Sequence, residues 1–133
     1  MRALAALLLL SLPAQAATPW IVGNWFGTGQ PDDKTGMYLD RFLADGSFHS
    51  DFRTCVKGKP VDSNEDGTWM VSGNVITLQV QLHNGQFAPH SETYRLLSQT
   101  ARQFRDVFET LNFPYDEHRV DAKFRLPDCQ LVS

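Results

Sequence analysis

Residues 75–82 read Val-Ile-Thr-Leu-Gln-Val-Gln-Leu, and this stretch decides the fold class. Its even positions are apolar and most of the odd ones are polar, which is the period of two that buries one face of a β-strand. Residues 48–54 and 120–125 alternate in the same way. No long segment after residue 16 has the 3.6-residue period of an amphipathic helix. The pattern therefore predicts an all-β domain.

Turn-forming dipeptides separate the alternating segments at short intervals. Because Asp-Gly and Asn-Gly pairs tolerate the positive φ of tight hairpins, each of them predicts a turn. Residues 110–116 contain Pro114 and are interpreted as a loop. The predicted turns are Asp45-Gly46, Asp66-Gly67, Gly73-Asn74 and Asn84-Gly85. The predicted strands are residues 20–27, 37–43, 47–56, 67–71, 75–82, 92–97, 103–109 and 118–125.

Eight strands joined by short hairpins form a meander with two exposed edges unless the sheet closes on itself. We therefore predict a small eight-stranded antiparallel up-and-down barrel. Such a barrel has an interior that is just wide enough for packed side chains or one small ligand. A sandwich of two sheets is the alternative. The barrel is favoured because nothing in the sequence demands a long crossover connection.

The N-terminus has the order of a secretory signal. One basic residue, Arg2, precedes an apolar run over residues 3–10, and Ala14-Gln15-Ala16 supplies small residues for a signal peptidase. We predict a signal peptide over residues 1–16, a mature domain over 17–133, and a periplasmic or secreted protein. The alternative is a transmembrane anchor, which needs about 18 or more apolar residues.

Composition limits the partners. Hydrophobic residues make up 42% of the chain and charged residues 20%, which is typical of a globular protein. The formal net charge is −3 and the charges are scattered. A nucleic-acid partner is not expected, because it requires a basic face, and neither is a polybasic membrane patch. The sequence indicates no oligomeric state.

The chain has two cysteines, Cys55 and Cys129. An even number of cysteines in an exported protein favours a disulfide bond, which here would hold the C-terminal tail on an earlier strand. Two free thiols, one of them reactive, are the alternative.

Gly23-Asn24-Trp25 lies in the first predicted strand and matches the G-x-W motif of lipocalins and related calycins. With the strand count and the two cysteines, the mature chain resembles a small lipocalin-like bacterial exported protein. The resemblance implies that Arg119 packs over Trp25 and closes one end of the barrel. It also implies a disulfide from an early strand to the C-terminal tail. The chain is shorter than a typical lipocalin and has no clear T-D-Y motif, so the depth of the cavity is in question.

No catalytic motif is present, and we expect no enzyme and no cofactor. Residues 62–67 match the first half of an EF-hand loop, but Gly73 replaces the bidentate Glu, so a polar hairpin loop is favoured over a calcium site. His49 and Asp51 share one strand face, yet a metal site needs three or four ligands. The adjacent carboxylates Asp32-Asp33 and Asp116-Glu117 are interpreted as solvated. No metal site is therefore predicted.

Three functions remain open. The first is a binding barrel for a small apolar or amphipathic ligand, with Tyr38, Trp69 and Tyr94 as the expected contacts and a cavity at the end away from Trp25. The second is an inhibitor with a filled core that meets a protein partner through residues 30–35 and 57–66. The third is an enzyme, which would need a polar cluster with shifted pKa values in a cleft. The expected inward-facing side chains are apolar at Phe48, Phe52, Ile76, Leu78, Val80, Tyr94, Leu96, Phe104, Phe108 and Phe124, with Ser50, Thr54, Glu92 and Asp106 in the same phase.

Overall fold

The computed structural model describes residues 19–129, and within them it contains eight strands and no helix. Each strand pairs antiparallel with the next, and the last strand pairs with the first, so the sheet closes into a barrel. The predicted up-and-down barrel is confirmed, and the sandwich is excluded. The strands are β1 (Gly23–Gln30), β2 (Asp33–Phe42), β3 (Ser47–Val56), β4 (Lys59–Ser72), β5 (Val75–His83), β6 (Gln86–Gln99), β7 (Gln103–Phe108) and β8 (Phe113–Val120).

Three of the four predicted turns join consecutive strands. They are Asp45-Gly46 between β2 and β3, Gly73-Asn74 between β4 and β5, and Asn84-Gly85 between β5 and β6. Asn84 and Gly85 have φ values of 50° and 76°, the left-handed pair that a two-residue hairpin requires. The sequence prediction missed a similar pair at Lys57-Gly58, with φ values of 52° and 75°, which joins β3 to β4.

The fourth predicted turn is wrong, because Asp66-Gly67 lies inside β4 at a β-bulge. A Cβ atom on Gly67 would overlap the carbonyl oxygen of Gln79 on β5. This glycine therefore permits a close approach of two strands, which is the other use of glycine in a sheet.

Two segments that were predicted as loops are strands. Residues 62–67 are extended within β4, so their side chains alternate between the two faces and cannot converge on one calcium ion. Most of residues 110–116 belongs to β8, which begins at Phe113 and holds Pro114 at its second position. Proline is tolerated near the end of a strand, whereas the sequence prediction interpreted Pro114 as part of a loop. The strand predicted over 118–125 therefore ends at Val120.

One end of the barrel is filled by apolar side chains. Trp25 and Phe104 meet edge to face with ring centroids 4.7 Å apart, and Trp20 packs against both of them. Trp25 is fully buried and donates a hydrogen bond from Nε1 to the carbonyl oxygen of Ile21 at 2.8 Å. The buried cluster at this closed end is formed by Ile21, Trp25, Phe42, Phe48, Ile76, Leu78, Val80 and Phe104.

Arg119 covers the closed end. Its guanidinium carbon lies 4.2 Å from the centroid of the Trp25 ring, as the lipocalin resemblance implies. The same guanidinium group donates hydrogen bonds to the carbonyl oxygens of Trp20, Val22 and Ala101. Gly23 has a φ of 139°, and a Cβ atom there would overlap the Arg119 side chain. The glycine of the motif is thus explained by the arginine that passes over it.

The C-terminal segment, residues 121–129, crosses the outside of the barrel. The predicted disulfide between Cys55 and Cys129 is confirmed, with Cα atoms 5.6 Å apart, and no free thiol remains in the described chain. Arg53 donates to the carbonyl oxygens of Leu126 and Pro127. Phe124 packs on Phe26, on the outer face of β1, with ring centroids 4.9 Å apart. Its predicted inward position is wrong because the strand that would have carried it ends earlier.

The disulfide is typical of a chain that folds outside the cytoplasm. The predicted signal peptide over residues 1–16 lies outside the described residues. Among residues 19–129, no helix is long and apolar enough to cross a membrane.

Candidate functional site

A cavity of about 230 Å³ occupies the barrel interior on the side of the β1–β2 turn, above the filled core. Trp25 does not line it, and Gln30 and Pro31 stand at its edge. The interior is therefore divided into a packed end and an open end. The lining side chains are Gln30, Pro31, Tyr38, Asp40, Phe42, Ser50, Phe52, Glu65, Ile76, Leu78, Glu92, Tyr94, Phe104, Asp106, Phe108, Tyr115 and Glu117.

Three acidic side chains from three strands meet at the deep side of the cavity. Asp40 of β2, Asp106 of β7 and Glu117 of β8 face inward because each lies in phase with the inward-facing positions of its strand. The carboxyls of Asp40 and Glu117 are hydrogen-bonded to each other. Ser50 on β3 donates a second hydrogen bond to Asp40 Oδ1 at 2.6 Å. We call Asp40, Asp106 and Glu117 the acidic triad.

Two oxygens of the acidic triad have no hydrogen-bond partner in the described structure. They are Oδ1 of Asp106 and Oε1 of Glu117. Asp106 is 3% exposed and Glu117 is 4% exposed, so bulk water does not satisfy them. Buried polar atoms are nearly always partnered, and a lone one calls for an explanation such as a ligand or an ordered water.

Burial favours the protonated forms of Asp106 and Glu117 in the acidic triad. It raises the pKa of Asp106 to about 8, and the nearby Asp40 carboxyl adds to the rise. Burial and the Asp40 charge raise the pKa of Glu117 well above its usual range. Burial also raises the pKa of Asp40, although its hydrogen bonds with Glu117 and Ser50 oppose that rise. Glu117 is therefore the donor to Asp40.

Tyrosine side chains form one wall of the cavity. Tyr115 meets Tyr38 edge to face with ring centroids 5.5 Å apart, and Tyr94 lies 6.1 Å from Tyr115. Phe108 packs 5.2 Å from Tyr94 on the same side. Burial raises the pKa of all three tyrosines above the usual value, so their hydroxyls stay protonated at neutral pH. We call Tyr38, Tyr94 and Tyr115 the tyrosine wall.

Each tyrosine hydroxyl is held by a hydrogen bond. Tyr94 donates to Glu92 Oε2 at 2.8 Å, and Tyr38 donates to the main-chain oxygen of Asp116 at 3.1 Å. A Cβ atom on Gly27 would overlap the Tyr38 hydroxyl, so this glycine on β1 makes room for the ring. The tyrosine wall is thus fixed before any ligand enters.

Glu65, His90 and Glu92 form a second cluster beside the cavity. Each presents one ligand atom, and these atoms lie within 4.8 Å of one another, which is compatible with a metal ion. His90 Nδ1 lies 3.1 Å from the Ala88 carbonyl oxygen, and Nε2 lies 3.1 Å from Glu92. The sequence prediction named no metal site. It had no reason to join Glu65 on β4 to two residues of β6.

The outer histidine, His49, lies between two carboxylates. Its Nδ1 lies 2.6 Å from Asp66 Oδ1, and its Nε2 lies 2.9 Å from Asp51 Oδ1. Burial would lower the pKa of His49, but the hydrogen bonds with both carboxylates outweigh it and raise that pKa. The shared face of His49 and Asp51 is as predicted, and it points away from the cavity.

Of the three expected ligand contacts, two line the cavity and one does not. Tyr38 and Tyr94 both line the cavity. Trp69 does not line it: its indole Nε1 donates to the Leu43 carbonyl oxygen at 2.8 Å, and its ring packs edge to face on Phe42. Trp69 therefore lies against the closed-end core.

Sequence reasoning missed most of the acidic lining. Asp40 is two residues from Tyr38, and Glu117 is two residues from Tyr115, so strand phase could have placed both inside. Glu92 and Asp106 were in phase with the apolar stripes and do face inward. For Asp116-Glu117, the two side chains point to opposite faces: Asp116 pairs with Arg105 outside, while Glu117 is buried.

The segments expected to meet a protein partner are mostly strand. Residues 33–35 begin β2 and residues 59–66 belong to β4, so only tight turns at 31–32 and 57–58 remain as loops. The interior is not filled, since a cavity of about 230 Å³ is lined by both the acidic triad and the tyrosine wall.

Comparison with known proteins supports the fold alone. No family model matches the chain, and no curated protein matches it significantly. A protein from Bacteroides uniformis ATCC 8492, solved by NMR, is similar in structure with a TM-score of 0.52. It is 18% identical in sequence, and the match covers 77% of this chain and 91% of that one. At this identity the likeness describes a shared barrel architecture.

Proposed function

We propose that this protein is an exported, lipocalin-like barrel that binds a small amphipathic molecule in its cavity without converting it. The observation that carries the proposal is the cavity itself, which is lined by aromatic rings and by hydrogen-bonding groups. Apolar lining with a few fixed polar groups is the usual composition of a small-molecule site. Tyr38 and Tyr94 are the ligand contacts that this proposal retains.

The volume limits the size of the ligand. At the roughly 30 Å³ that a water molecule occupies in the liquid, 230 Å³ corresponds to about eight non-hydrogen atoms. A molecule with one aromatic ring and a short polar group fits this volume. Haem-sized and retinoid-sized compounds exceed it.

A thermal-shift titration tests the binding function. The probes are one-ring amphipaths with neutral, basic and acidic polar groups, namely benzyl alcohol, benzylamine and benzoate. Binding to the native state raises its apparent stability by mass action, so at least one probe should give a saturable rise in Tm. Leu78→Phe adds volume inside the cavity and should abolish that rise.

Val75→Phe is the matched control, since it enlarges an exposed residue on the same strand. This variant should keep the response of the natural protein. If no probe shifts Tm, or if Leu78→Phe responds as Val75→Phe does, the cavity is not a ligand site.

One observation favours a second candidate, an acid–base enzyme. The hydrogen-bonded Asp40–Glu117 pair, with both pKa values raised, resembles the carboxyl pairs that share a proton in hydrolases. We place it second because no His, Lys or Arg is among the described lining residues and the cavity is too small for a disaccharide. Turnover of chromogenic glycosides that is lost in Glu117→Gln would reverse this order.

A further inference from the structure

The cavity has an excess of acidic groups. Its described lining contains five carboxyl groups and no Arg, Lys or His side chain. A buried carboxylate without a partner is costly, and in practice it stays protonated until a cation reaches it. The described lining offers an acidic ligand no cationic side chain, so the cavity selects against anions.

Two of these carboxyls line the cavity and each has one oxygen without a partner. Asp106 Oδ1 and Glu117 Oε1 are buried and lack any hydrogen-bond partner in residues 19–129. The other carboxyl of the acidic triad, Asp40, already accepts a hydrogen bond from Ser50. The lone oxygens are therefore the acceptors that the protein itself leaves unused.

The tyrosine wall favours a ligand that has both a cationic group and an apolar body. Tyr38 and Tyr115 meet at 86°, and Tyr94 stands at 62° to Tyr115, so the rings form a corner. Aromatic faces attract ammonium groups within about 6 Å of the ring centroid, and they also pack well against an apolar ligand body. Asp106 is the cross-strand neighbour of Tyr115, and carboxyl acceptors next to a corner of aromatic rings fit a cation that has an organic part.

A metal ion fits the acidic triad poorly. Hard cations such as calcium take six to eight oxygen ligands, so several oxygens must converge. In the described chain, the acidic triad supplies no group of three ligand atoms within 4.8 Å of one another; the group that meets this distance is Glu65, His90 and Glu92. The cavity that the triad and the rings line together is about 230 Å³, which is of organic-ligand size.

We propose that the ligand is a small organic ammonium compound, whose charged nitrogen binds Asp106 and Glu117 while its apolar part packs against the tyrosine wall. The inference rests on the proposed binding function and narrows it to one ligand class. Binding favours the ionised carboxyls, so the bound ammonium displaces a proton from the acidic triad to solvent.

Calorimetric titration with a matched pair of probes tests the ligand class. Benzylamine and benzyl alcohol have the same ring and the same number of non-hydrogen atoms, and they differ in charge. We expect benzylamine to bind at least roughly tenfold more tightly, because a charge-assisted hydrogen bond is about twice as strong as a neutral one. Asp106→Asn and Glu117→Gln should each remove most of this preference while leaving the affinity for benzyl alcohol within about threefold.

Glu109→Gln is the control, since it removes an exposed carboxylate that pairs with Arg95 and does not line the cavity. It should leave the preference for benzylamine unchanged. Equal binding of the two probes to the natural protein, or an unchanged preference in both Asp106→Asn and Glu117→Gln, overturns the ammonium assignment and leaves the binding function standing. If neither probe binds, nor benzoate, the binding function itself fails. Displacement of benzylamine by millimolar calcium or zinc would identify a metal ion as the occupant instead.

The pH dependence of binding is a second test. If Asp106 had only a structural role, its substitution would not change that dependence. Benzylamine stays protonated between pH 6 and 7.5, so only the protein titrates in this range. Its affinity should rise by roughly tenfold for each pH unit between 6 and 7.5 as one carboxyl proton is released, and Asp106→Asn should flatten the profile. A flat profile in the natural protein overturns the assignment. The titratable groups that act on Asp106 or line the cavity with it are Glu65 from β4, Glu92 and Tyr94 from β6, Asp116, Glu117 and Tyr115 from β8, and Asp40 and Tyr38 from β2.

Discussion

The two ends of the barrel are formed by the same strands, but one end is packed and the other contains a cavity. On β7, Phe104 and Asp106 both face inward, are two residues apart and line the cavity, yet only Phe104 belongs to the packed cluster of the closed end. At the closed end, Arg119 binds three carbonyl oxygens beside the core. At the open end, two buried oxygens have no hydrogen-bond partner in residues 19–129. We therefore expect the closed end to supply most of the stability and the open end to hold the ligand that we propose.

The largest expected effect contrasts two phenylalanines of β7. Phe104→Ala removes a ring from the packed core and should lower the free energy of unfolding by about 3–5 kcal/mol. Phe108→Ala removes a ring that already borders open space, and we expect less than half of that loss. Urea denaturation of both variants measures the difference. Equal losses would mean that the open end is packed as tightly as the closed end.

The second prediction concerns pH. Asp106 has a pKa of about 8 in the folded protein and about 3.9 when unfolded, so the folded state binds the extra proton between these values. Its contribution to stability is complete below the unfolded pKa and is lost as the pH rises through the folded pKa. The free energy of unfolding should therefore fall by roughly 1.4 kcal/mol per pH unit for this group between pH 5 and 8.

Asp106→Asn should reduce that slope when unfolding is measured in urea at pH 5, 6, 7 and 8. The raised pKa of His49 gives a slope of the same sign, so His49→Gln is the necessary companion variant. If the slope disappears in His49→Gln and persists in Asp106→Asn, the pH dependence comes from the outer surface and not from the cavity.

The smallest expected effect concerns Arg119, which covers the closed end of the barrel. Arg119→Lys keeps the charge but cannot donate to three carbonyl oxygens at once, and we expect a loss of about 1 kcal/mol. Arg105→Lys, in an exposed ion pair with Asp116, should cost close to nothing. A thermal melt that does not distinguish the two variants would remove the structural role given to Arg119.

The alternation of residues 75–82 was sufficient to predict β-strands, because period two is a local property of a strand with one buried face, and the count of eight strands with short hairpins then predicted the barrel. The disulfide and the position of Arg119 over Trp25 could also be predicted, from the cysteine count and a short motif. Strand ends were less accurate where a residue has two structural uses. Asp66-Gly67 forms a bulge in place of a turn, and Pro114 lies inside a strand.

The acidic triad could not be predicted in the same way. Its members lie on β2, β7 and β8, and they meet only because β8 closes onto β1 beside β2. Each carboxyl alone is a common surface residue, and the adjacent pair Asp116-Glu117 looks solvated in sequence. The sequence did contain one signal, which is strand phase. Asp40 is on the same strand face as Tyr38, and Glu117 is on the same face as Tyr115.

The bond between Cys55 and Cys129 makes a covalent ring of the chain that runs through β4 to β8, with a sequence separation of 74. A protease that cuts once at a hairpin inside this ring opens it without releasing a fragment, so both halves remain joined until a reductant is added. A cut before Cys55 releases β1 and β2 covalently, and only strand pairing then holds them. Resistance to proteolysis is therefore unequal along the chain, and Trp25 lies in the part that the ring does not protect.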